Sequence, residues 1–477
     1  MNGNLYLTGF MGGGKSSVGR ELARVLRRRF VDLDEAVARR LGMSVPQAFA
    51  RLGEPAFRAV ESTELARAAR GRRLVVAVGG GAPESAANRR IMRESGRILH
   101  LDASLDACRD RLGLVETAWR PLWADEKAVS ALYERRRSIY ADCDFNVLTD
   151  GRSLQAVVES LCARIMPEER FETRLGYAQC PVVATWRGPA ALAELAGGRR
   201  AVLLSDRHVA ALHGERYALA LGRQVMVTVA PGEGSKSLAT SSRVYQALLD
   251  AHLERGDLLV ALGGGMVTDL GAYVASTYKR GLDFALVSTT LLGCVDAAVG
   301  GKAALNLGQA KNVVGLFTVP KAVVLDLRAL STLSRSQITE GLVEAYKTGL
   351  VTTTPGLAGL IEDSLAASRA GDLLLMAEVA VRSSRAKASV VENDFRETDF
   401  RRILNLGHTY GHVVEGLNRY SINHGRSVAV GMLVAVELSF GRGLMSAETA
   451  QRVRDTVRRL VRLDFPWPTA EQVWPIL

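Results

Sequence analysis

Eight residues near the start of the chain, Gly9-Phe-Met-Gly-Gly-Gly-Lys15-Ser16, read G-x-x-x-x-G-K-[ST]. Few patterns restrict a fold as tightly. The run follows the apolar segment Leu5-Tyr6-Leu7 and opens a helical pattern at Ser17. A glycine-rich turn between strand and helix lets backbone N–H groups close around phosphate oxygens. The positive end of the helix lies behind them. Gly12, Gly13 and Gly14 shape the turn, Lys15 reaches the β/γ-phosphates, Ser16 offers its hydroxyl to Mg2+, and Ser17 leads into the helix. The expectation is a bound nucleoside triphosphate, ATP or GTP, at the end of a parallel strand.

The rest of the sequence has room for more than one such unit. With 477 residues, two to four domains of ordinary size are expected. The net charge of +11 is carried mostly by arginine. The basic residues are scattered along helical patterns with no nucleic-acid motif, so anionic small molecules are the expected partners and nucleic acid is not. No apolar run of about eighteen residues marks a membrane span. The N-terminus enters a strand directly, with no basic and apolar leader. The five cysteines are widely spaced and contain no C-x-x-C, which disfavours a disulfide scaffold or a cysteine zinc site. A cytoplasmic location is expected.

Periodicity divides the chain. In the first part, candidate strands Leu5–Thr8, Arg29–Leu33, Leu74–Val78, Arg97–Leu101 and Phe145–Val147 alternate with helical segments. That pattern predicts a parallel sheet covered on both faces. Residues 167–176, charged and without apolar period, read as a linker. Strands resume at Pro181-Val-Val-Ala-Thr and recur at residues 201–205, 225–229, 258–262, 284–287 and 323–325, after which helical patterns dominate. The predicted architecture is α/β: a P-loop kinase-type parallel sheet over 1–166, the linker, a Rossmann-like α/β subdomain over 177–327, and an all-helical metal-binding subdomain over 328–477.

Further motifs in the first part fall at predicted strand ends, where open α/β sheets bind ligands. Phe30-Val-Asp32-Leu-Asp34 places two carboxylates for Mg2+ and a substrate hydroxyl. Phe57-Arg58-Ala-Val-Glu61, Gly79-Gly80-Gly81, Trp119-Arg120-Pro-Leu and Arg135-Arg136-Arg137-Ser-Ile-Tyr140 follow in order. The ordered set resembles shikimate kinase over residues 3–165. The resemblance implies ATP-dependent phosphorylation of shikimate. It implies that Asp34 holds ring hydroxyls, that Arg58 and Arg136 bind the carboxylate with Glu61 orienting Arg58, and that Gly80 and Gly81 line the ring. Arg120 would lie on a lid near residues 111–126 and touch the transferring phosphoryl group. Arg109 would pack near adenine, and Asp32 would serve Mg2+ or the attacking hydroxyl. Guanidinium forks suit a carboxylate, and phosphoryl transfer needs positioning and charge neutralisation above all.

In the second part, Leu262-Gly263-Gly264-Gly265 ends a buried strand and opens a helix. A dinucleotide pyrophosphate fits there, although G-x-G-x-x-G is absent. Histidine is scarce, seven in all, yet His408, His412 and His424 fall within seventeen residues. His408 and His412 lie one helical turn apart. The Thr after His408 disfavours the H-E-x-x-H hydrolytic arrangement. Two histidines plus a carboxylate make an open catalytic zinc site, and Glu344 is the candidate carboxylate.

These segments, with Pro231-Gly-Glu233-Gly-Ser-Lys236, Ser288-Thr289-Thr290-Leu-Leu, Asp296-Ala-Ala-Val-Gly-Gly-Lys302, Lys311-Asn312, Gly341-Leu-Val-Glu344-Ala-Tyr-Lys347 and Arg401-Arg-Ile-Leu-Asn405-Leu-Gly-His408, resemble 3-dehydroquinate synthase over residues 177–475. The resemblance implies NAD+ at Asp206, Glu233, Lys236, Gly264, Gly265, Asp269, Thr289, Thr290 and Thr332, with Asp296, Lys302, Lys311 and Asn312 beside it and the substrate. It implies Zn2+ or Co2+ on Glu344, His408 and His424, with His412 as an acid/base group. Lys347, Lys387, Glu397, Arg401 and Asn405 would surround the substrate. Arg280 would reach a phosphate, that of a neighbouring subunit in a homodimer built through this half.

The sequence departs from that pattern in places. Ser288 stands for a Pro, Ala297-Ala298 for a Ser pair, and Phe395 and Asp399 for a Glu and a Gly around Glu397. No Asp-Lys-Lys segment follows Phe465-Pro-Trp-Pro, so weak binding of the phosphorylated substrate is expected. Two rival readings of this half are a different sugar-phosphate cyclase and an inactive dimerisation scaffold. Lys387, Arg401 and Asn405 together favour the dehydroquinate reaction.

Overall fold

The computed structural model describes residues 3–118, 125–223, 225–308, 310–418, 422–464 and 467–473. It separates into two compact units, residues 1–165 and 166–477.

The first unit holds five strands: β1 (Asn4–Thr8), β2 (Arg29–Asp32), β3 (Leu74–Ala77), β4 (Gly96–Asp102) and β5 (Phe145–Leu148). They pair in the order β2-β3-β1-β4-β5, every pair parallel. β1 and β3 are buried throughout, as a sheet covered on both faces requires. The phosphate loop leaves the C-terminal end of central β1 and enters the helix Lys15–Leu26. Positive φ at Gly9, Gly12 and Gly14 is what the glycines of the loop supply. A Cβ on Gly12 would stand 2.4 Å from the Cys108 carbonyl oxygen, so only glycine fits. Asp32 ends β2 and caps the helix Leu33–Leu41 by accepting from the backbone N–H of Asp34 and Glu35, a common N-terminal device.

The second unit carries a seven-stranded sheet of β6 (Glu169–Leu175), β7 (Ala178–Thr185), β8 (Ala201–Asp206), β9 (Val225–Val229), β10 (Leu258–Gly263), β11 (Asp283–Ser288) and, after a hairpin, β14 (Ala322–Asp326). Its order is β6-β7-β14-β11-β10-β8-β9. Only β6 and β7 pair antiparallel; the others are parallel. The hairpin comprises β12 (Lys302–Leu307) and β13 (Ala310–Phe317).

Two readings of the sequence need correction here. Residues 167–176 are not a linker. They contain β6, whose Thr173 and Leu175 face inward while its charged residues face outward. Alternation across one exposed edge hid the strand among charges. The hairpin was not predicted at all, because β13 is half-exposed along its length and has no apolar period of its own.

Past β14 the chain is helical. Ser334 begins the helix Arg335–Val351 with a capping box closed by Gln337, which satisfies two end donors at once. That helix carries Glu344 and Lys347 one turn apart. The helices His408–Leu417 and His424–Gly441 meet through glycine. A Cβ on Gly431 would lie 1.8 Å from the Gly407 oxygen, and one on Gly411 would lie 2.9 Å from the Ser427 oxygen. This approach brings the His408 and His424 rings within 5.2 Å of each other, edge toward face. Gly431→Ala is expected to force the helices apart, at a cost of about 1–3 kcal/mol, and to reduce zinc retention. Denaturant unfolding and zinc analysis would check it, and parental values for both would show that the packing yields.

Candidate active sites

In the first unit the residues gather at the C-terminal ends of β1, β2 and β3. Lys15 Nζ donates to the Gly9 and Phe10 carbonyl oxygens at 2.8 and 3.0 Å, placing its ammonium over the loop. Ser16 Oγ donates to Asp32 Oδ2 at 2.6 Å. Those two oxygens are the natural approach for a hard cation such as Mg2+. Ser17 is exposed at the start of the helix. Gly13 is held by its N–H to the Phe10 oxygen, 3.0 Å.

Opposite the loop lies a charged cradle. Arg58 Nη1 donates to Glu61 Oε2 at 2.7 Å, and Glu61 is buried. Burial raises the Glu61 carboxyl while Arg58 pulls it back down. Its other oxygen has no hydrogen-bond partner. A Cβ on Gly79 would meet Glu61 Oε1 and Asp34 Oδ1, and one on Gly81 would lie 2.2 Å from Arg58 Nη2. The glycines therefore exist to let these charges close in. Gly80 faces Arg136 and Tyr140, and its oxygen accepts from the Tyr140 hydroxyl.

Within the Arg135–Arg137 run, only Arg136 is buried. Arg136 is 6% exposed and pairs with Glu84 at 2.7 Å, whereas Arg135 is 62% exposed. Glu84 was not anticipated; nothing in its local sequence marks it. Arg109 pairs with Glu126 at 2.8 Å on the surface. Arg120 lies outside the described residues.

Arg58→Lys or Arg136→Lys is expected to weaken shikimate binding about tenfold or more while leaving ATP affinity near parental, because a point charge cannot replace a planar fork. Calorimetric titration with each ligand measures it. Equal losses for both would show that these arginines are not carboxylate clamps.

In the second unit, Gly264 precedes the helix Gly265–Thr277, so free N–H groups end beside β10. A Cβ on Gly264 would stand 3.0 Å from Thr290, and one on Gly265 would stand 3.2 Å from Ala297. Asp206 ends β8 and accepts from the N–H groups of His208 and Val209. Lys236 pairs with Asp269 and donates to Asn312, while Glu233 accepts from Asn306 at 2.9 Å. The buried Thr289 hydroxyl has no partner, and Thr290 accepts from Gly293 N–H. Thr332 bonds His213 at 3.1 Å. Arg280 is exposed, in the left-handed region beside Lys279.

Deeper, Lys387 donates to Asp296 Oδ1 at 2.6 Å. Burial opposes the Asp296 charge, but Lys387 and Lys347 overcome it and hold the carboxyl far below its usual range. Lys302 pairs with Glu397, and Asn405 donates to Glu397 at 2.7 Å. Gly300 leaves room for Arg401, whose Nη2 would stand 2.6 Å from a Cβ there. Asp394, another residue not anticipated, frames this loop. It accepts from the backbone N–H of Thr398, Asp399 and Arg401 at 3.0, 2.8 and 3.1 Å, and from the Thr398 hydroxyl.

Ligating atoms of Glu344, His408 and His424 lie within 4.8 Å of one another. Glu344 is fully buried, and its Oε1 makes no hydrogen bond. His408 Nε2 and His424 Nε2 stand 3.6 and 3.4 Å from Oε1, and Lys347 pairs with Oε2. A buried Oε1 without a hydrogen bond, facing two imidazole nitrogens, suits a divalent ion, and the donor set is one zinc favours. Burial drives His408 down to about 4. Burial also opposes charge on His424, but Glu344 and Glu415 raise it to about 10. His412 is exposed and falls in a second group with Glu415 and His424. Glu415, seven residues after His408, lies two turns further along the same helix.

The fold and these two clusters define a phosphate-loop nucleotide-binding unit joined to a dinucleotide-binding unit with a histidine–carboxylate metal site. Family models match along the chain: shikimate kinase over residues 11–166, the 3-dehydroquinate synthase N-terminal domain over 226–340 and its C-terminal domain over 341–473. The bifunctional shikimate kinase/3-dehydroquinate synthase of Thermotoga maritima is 31% identical over 97% of this chain and 90% of that one. The chain belongs to that bifunctional family. The 3-dehydroquinate synthase of Pelotomaculum thermopropionicum is 38% identical over 61% of this chain and 81% of that one. Among solved structures, the 2-epi-5-epi-valiolone synthase of Streptomyces hygroscopicus with NAD+ and Zn2+ bound is similar over 64% of this chain and 86% of that one. Its TM-score is 0.57 at 26% identity.

Proposed function

We propose that the chain catalyses two reactions of the shikimate pathway. The first unit transfers phosphate from Mg2+-bound ATP to shikimate. The second converts 3-deoxy-D-arabino-heptulosonate 7-phosphate to 3-dehydroquinate and phosphate, using NAD+ and Zn2+ or Co2+. The observation that carries this reading is the presence of both side-chain clusters in one chain, whose full length parallels a bifunctional relative.

For the kinase, Lys15 neutralises charge on the transferring group, and Asp32, bonded to Ser16, sits where a cation or the attacking hydroxyl would be held. Arg58 and Arg136 present guanidinium faces to the substrate carboxylate, with Glu61 and Glu84 fixing them, and Asp34 takes ring hydroxyls. Arg120 and Arg109 complete the nucleotide side of this reading.

For the synthase, NAD+ when bound supplies a hydride acceptor, and the metal lowers the pKa of a substrate hydroxyl. Glu344, His408 and His424 would hold that ion. Asp206, Glu233, Lys236, Asp269, Thr289, Thr290 and Thr332 would hold the dinucleotide with the backbone of Gly264 and Gly265. Lys302, Lys311, Asn312, Lys347, Lys387, Arg401 and Asn405 gather positive and polar groups for a substrate with a carboxylate and a phosphate, with Asp296 orienting Lys387. His412, exposed beside the ligand set, is placed to move protons. Arg280 fits a phosphate contact in a homodimer of the second unit.

Among the described residues no helix is long and apolar enough to cross a membrane, and we place the enzyme in the cytoplasm. The test is direct: purified protein should phosphorylate shikimate with ATP and, separately, release phosphate from the heptulosonate substrate only with NAD+ and a divalent metal. Phosphate release from another sugar phosphate in preference would move the second unit to a different cyclase. Zinc binding without any turnover would make it a scaffold.

A further inference from the structure

The side chain of Glu415 is 2% exposed and is shared between two nitrogen donors. Its Oε1 accepts from His424 Nδ1 at 2.9 Å. Its Oε2 accepts from Lys311 Nζ at 2.9 Å. Lys311 lies on β13 and His424 opens the last long helix but one, so a single carboxylate ties the hairpin to the metal site. We propose that Glu415 is a positioning residue that couples the metal ligands to the substrate lysine. It fixes the His424 ring with Nε2 toward Glu344 and His408, and it holds the Lys311 ammonium in register with them. The inference rests on the metal and substrate roles given above.

The argument is one of atoms. A neutral imidazole has one donor nitrogen and one lone pair, and the bond made by one nitrogen decides the other. A His424 ring that binds a metal is neutral, and with Nδ1–H given to Glu415 its lone pair is on Nε2, the atom 3.4 Å from Glu344. A carboxylate behind a ligating histidine fixes the ring and raises its basicity.

Glu415 could instead be a ligand, since it, His412 and His424 also lie within 4.8 Å of one another. Three observations disfavour that. His424 would have to ligate through Nδ1 and give up its bond to Glu415. The second Glu415 oxygen is already occupied by Lys311. The oxygen left facing the imidazoles without a hydrogen bond is Oε1 of Glu344; both Glu415 oxygens have partners.

The test uses the full chain and zinc alone, titrated in competition with a chromophoric chelator. Glu415→Gln keeps the shape but loses the charge. Its zinc affinity is expected to fall about 10–100-fold, with NAD+ affinity at the parental value. At saturating zinc, KM for the phosphorylated substrate should rise several-fold more than kcat falls, because Lys311 has lost its anchor. Glu344→Gln should retain no zinc. Glu415→Asp, which keeps the charge on a shorter arm, serves if the Gln variant does not fold, and an intermediate loss is expected there. Nitrogen NMR of the zinc-loaded parent should show His424 protonated at Nδ1.

Zinc affinity within twofold of parental in both Glu415 variants would overturn the proposal. Zinc loss in Glu415→Gln as complete as in Glu344→Gln would also overturn it, by making Glu415 a ligand. Because zinc is measured without substrate, a parent that binds zinc but turns over no heptulosonate phosphate would refute the assigned reaction and leave this question still decided.

Discussion

Lys15→Ala is expected to lower ATP-dependent phosphorylation of shikimate by two or more orders of magnitude, about the size of losing a charge-stabilising contact in a water-excluded site. Phosphate release by the second unit should stay at the parental rate. Lys15 is the ammonium poised over the phosphate loop, held on the Gly9 and Phe10 oxygens, and neither neighbour can take its place. The two clusters belong to separately compact units, so the loss should not spread. Coupled assays of both reactions on one preparation measure this. A folded variant that loses both activities would show that the sites are not independent.

The second large effect concerns the metal. His408→Ala or His424→Ala should reduce bound zinc to background, whereas His412→Ala should keep it and lose turnover. Sequence spacing alone allows His408 and His412 to ligate together. The structure instead sets Glu344 opposite His408 and His424 and leaves His412 exposed. Elemental analysis of the three purified variants, alongside initial rates, separates the possibilities. Equal zinc loss in His412→Ala would move the ion to the other ligand group.

Much of this was legible from sequence, for identifiable reasons. The phosphate loop declared itself because its glycines have no substitute: Gly12 abuts a backbone carbonyl. The buried parallel strands showed as continuous apolar runs, as at Leu258–Gly263. Arg136 could be picked from three arginines by its distance to Tyr140. What escaped were partners that act through space. Glu84 meets Arg136 across fifty-two positions, and Glu415 meets Lys311 across one hundred and four. No local pattern encodes such pairings. β6 escaped because charged side chains on its open face masked the alternation beneath.

The loop framed by Asp394 bears on how this protein can vary. Three of the four donors to that carboxylate are backbone N–H groups, of Thr398, Asp399 and Arg401. The frame therefore reads the path of the chain and is nearly blind to which side chain stands at 399. The Asp399 N–H makes the shortest of those bonds. Phe395 enters in two ways: its carbonyl oxygen accepts from Arg401 at 2.7 Å, and its ring packs against Phe317. A substitution at 399 that keeps the backbone N–H is therefore expected to leave Glu397 and Arg401 in place. One carboxylate thus acts as a template for the backbone on which Glu397 and Arg401 are mounted.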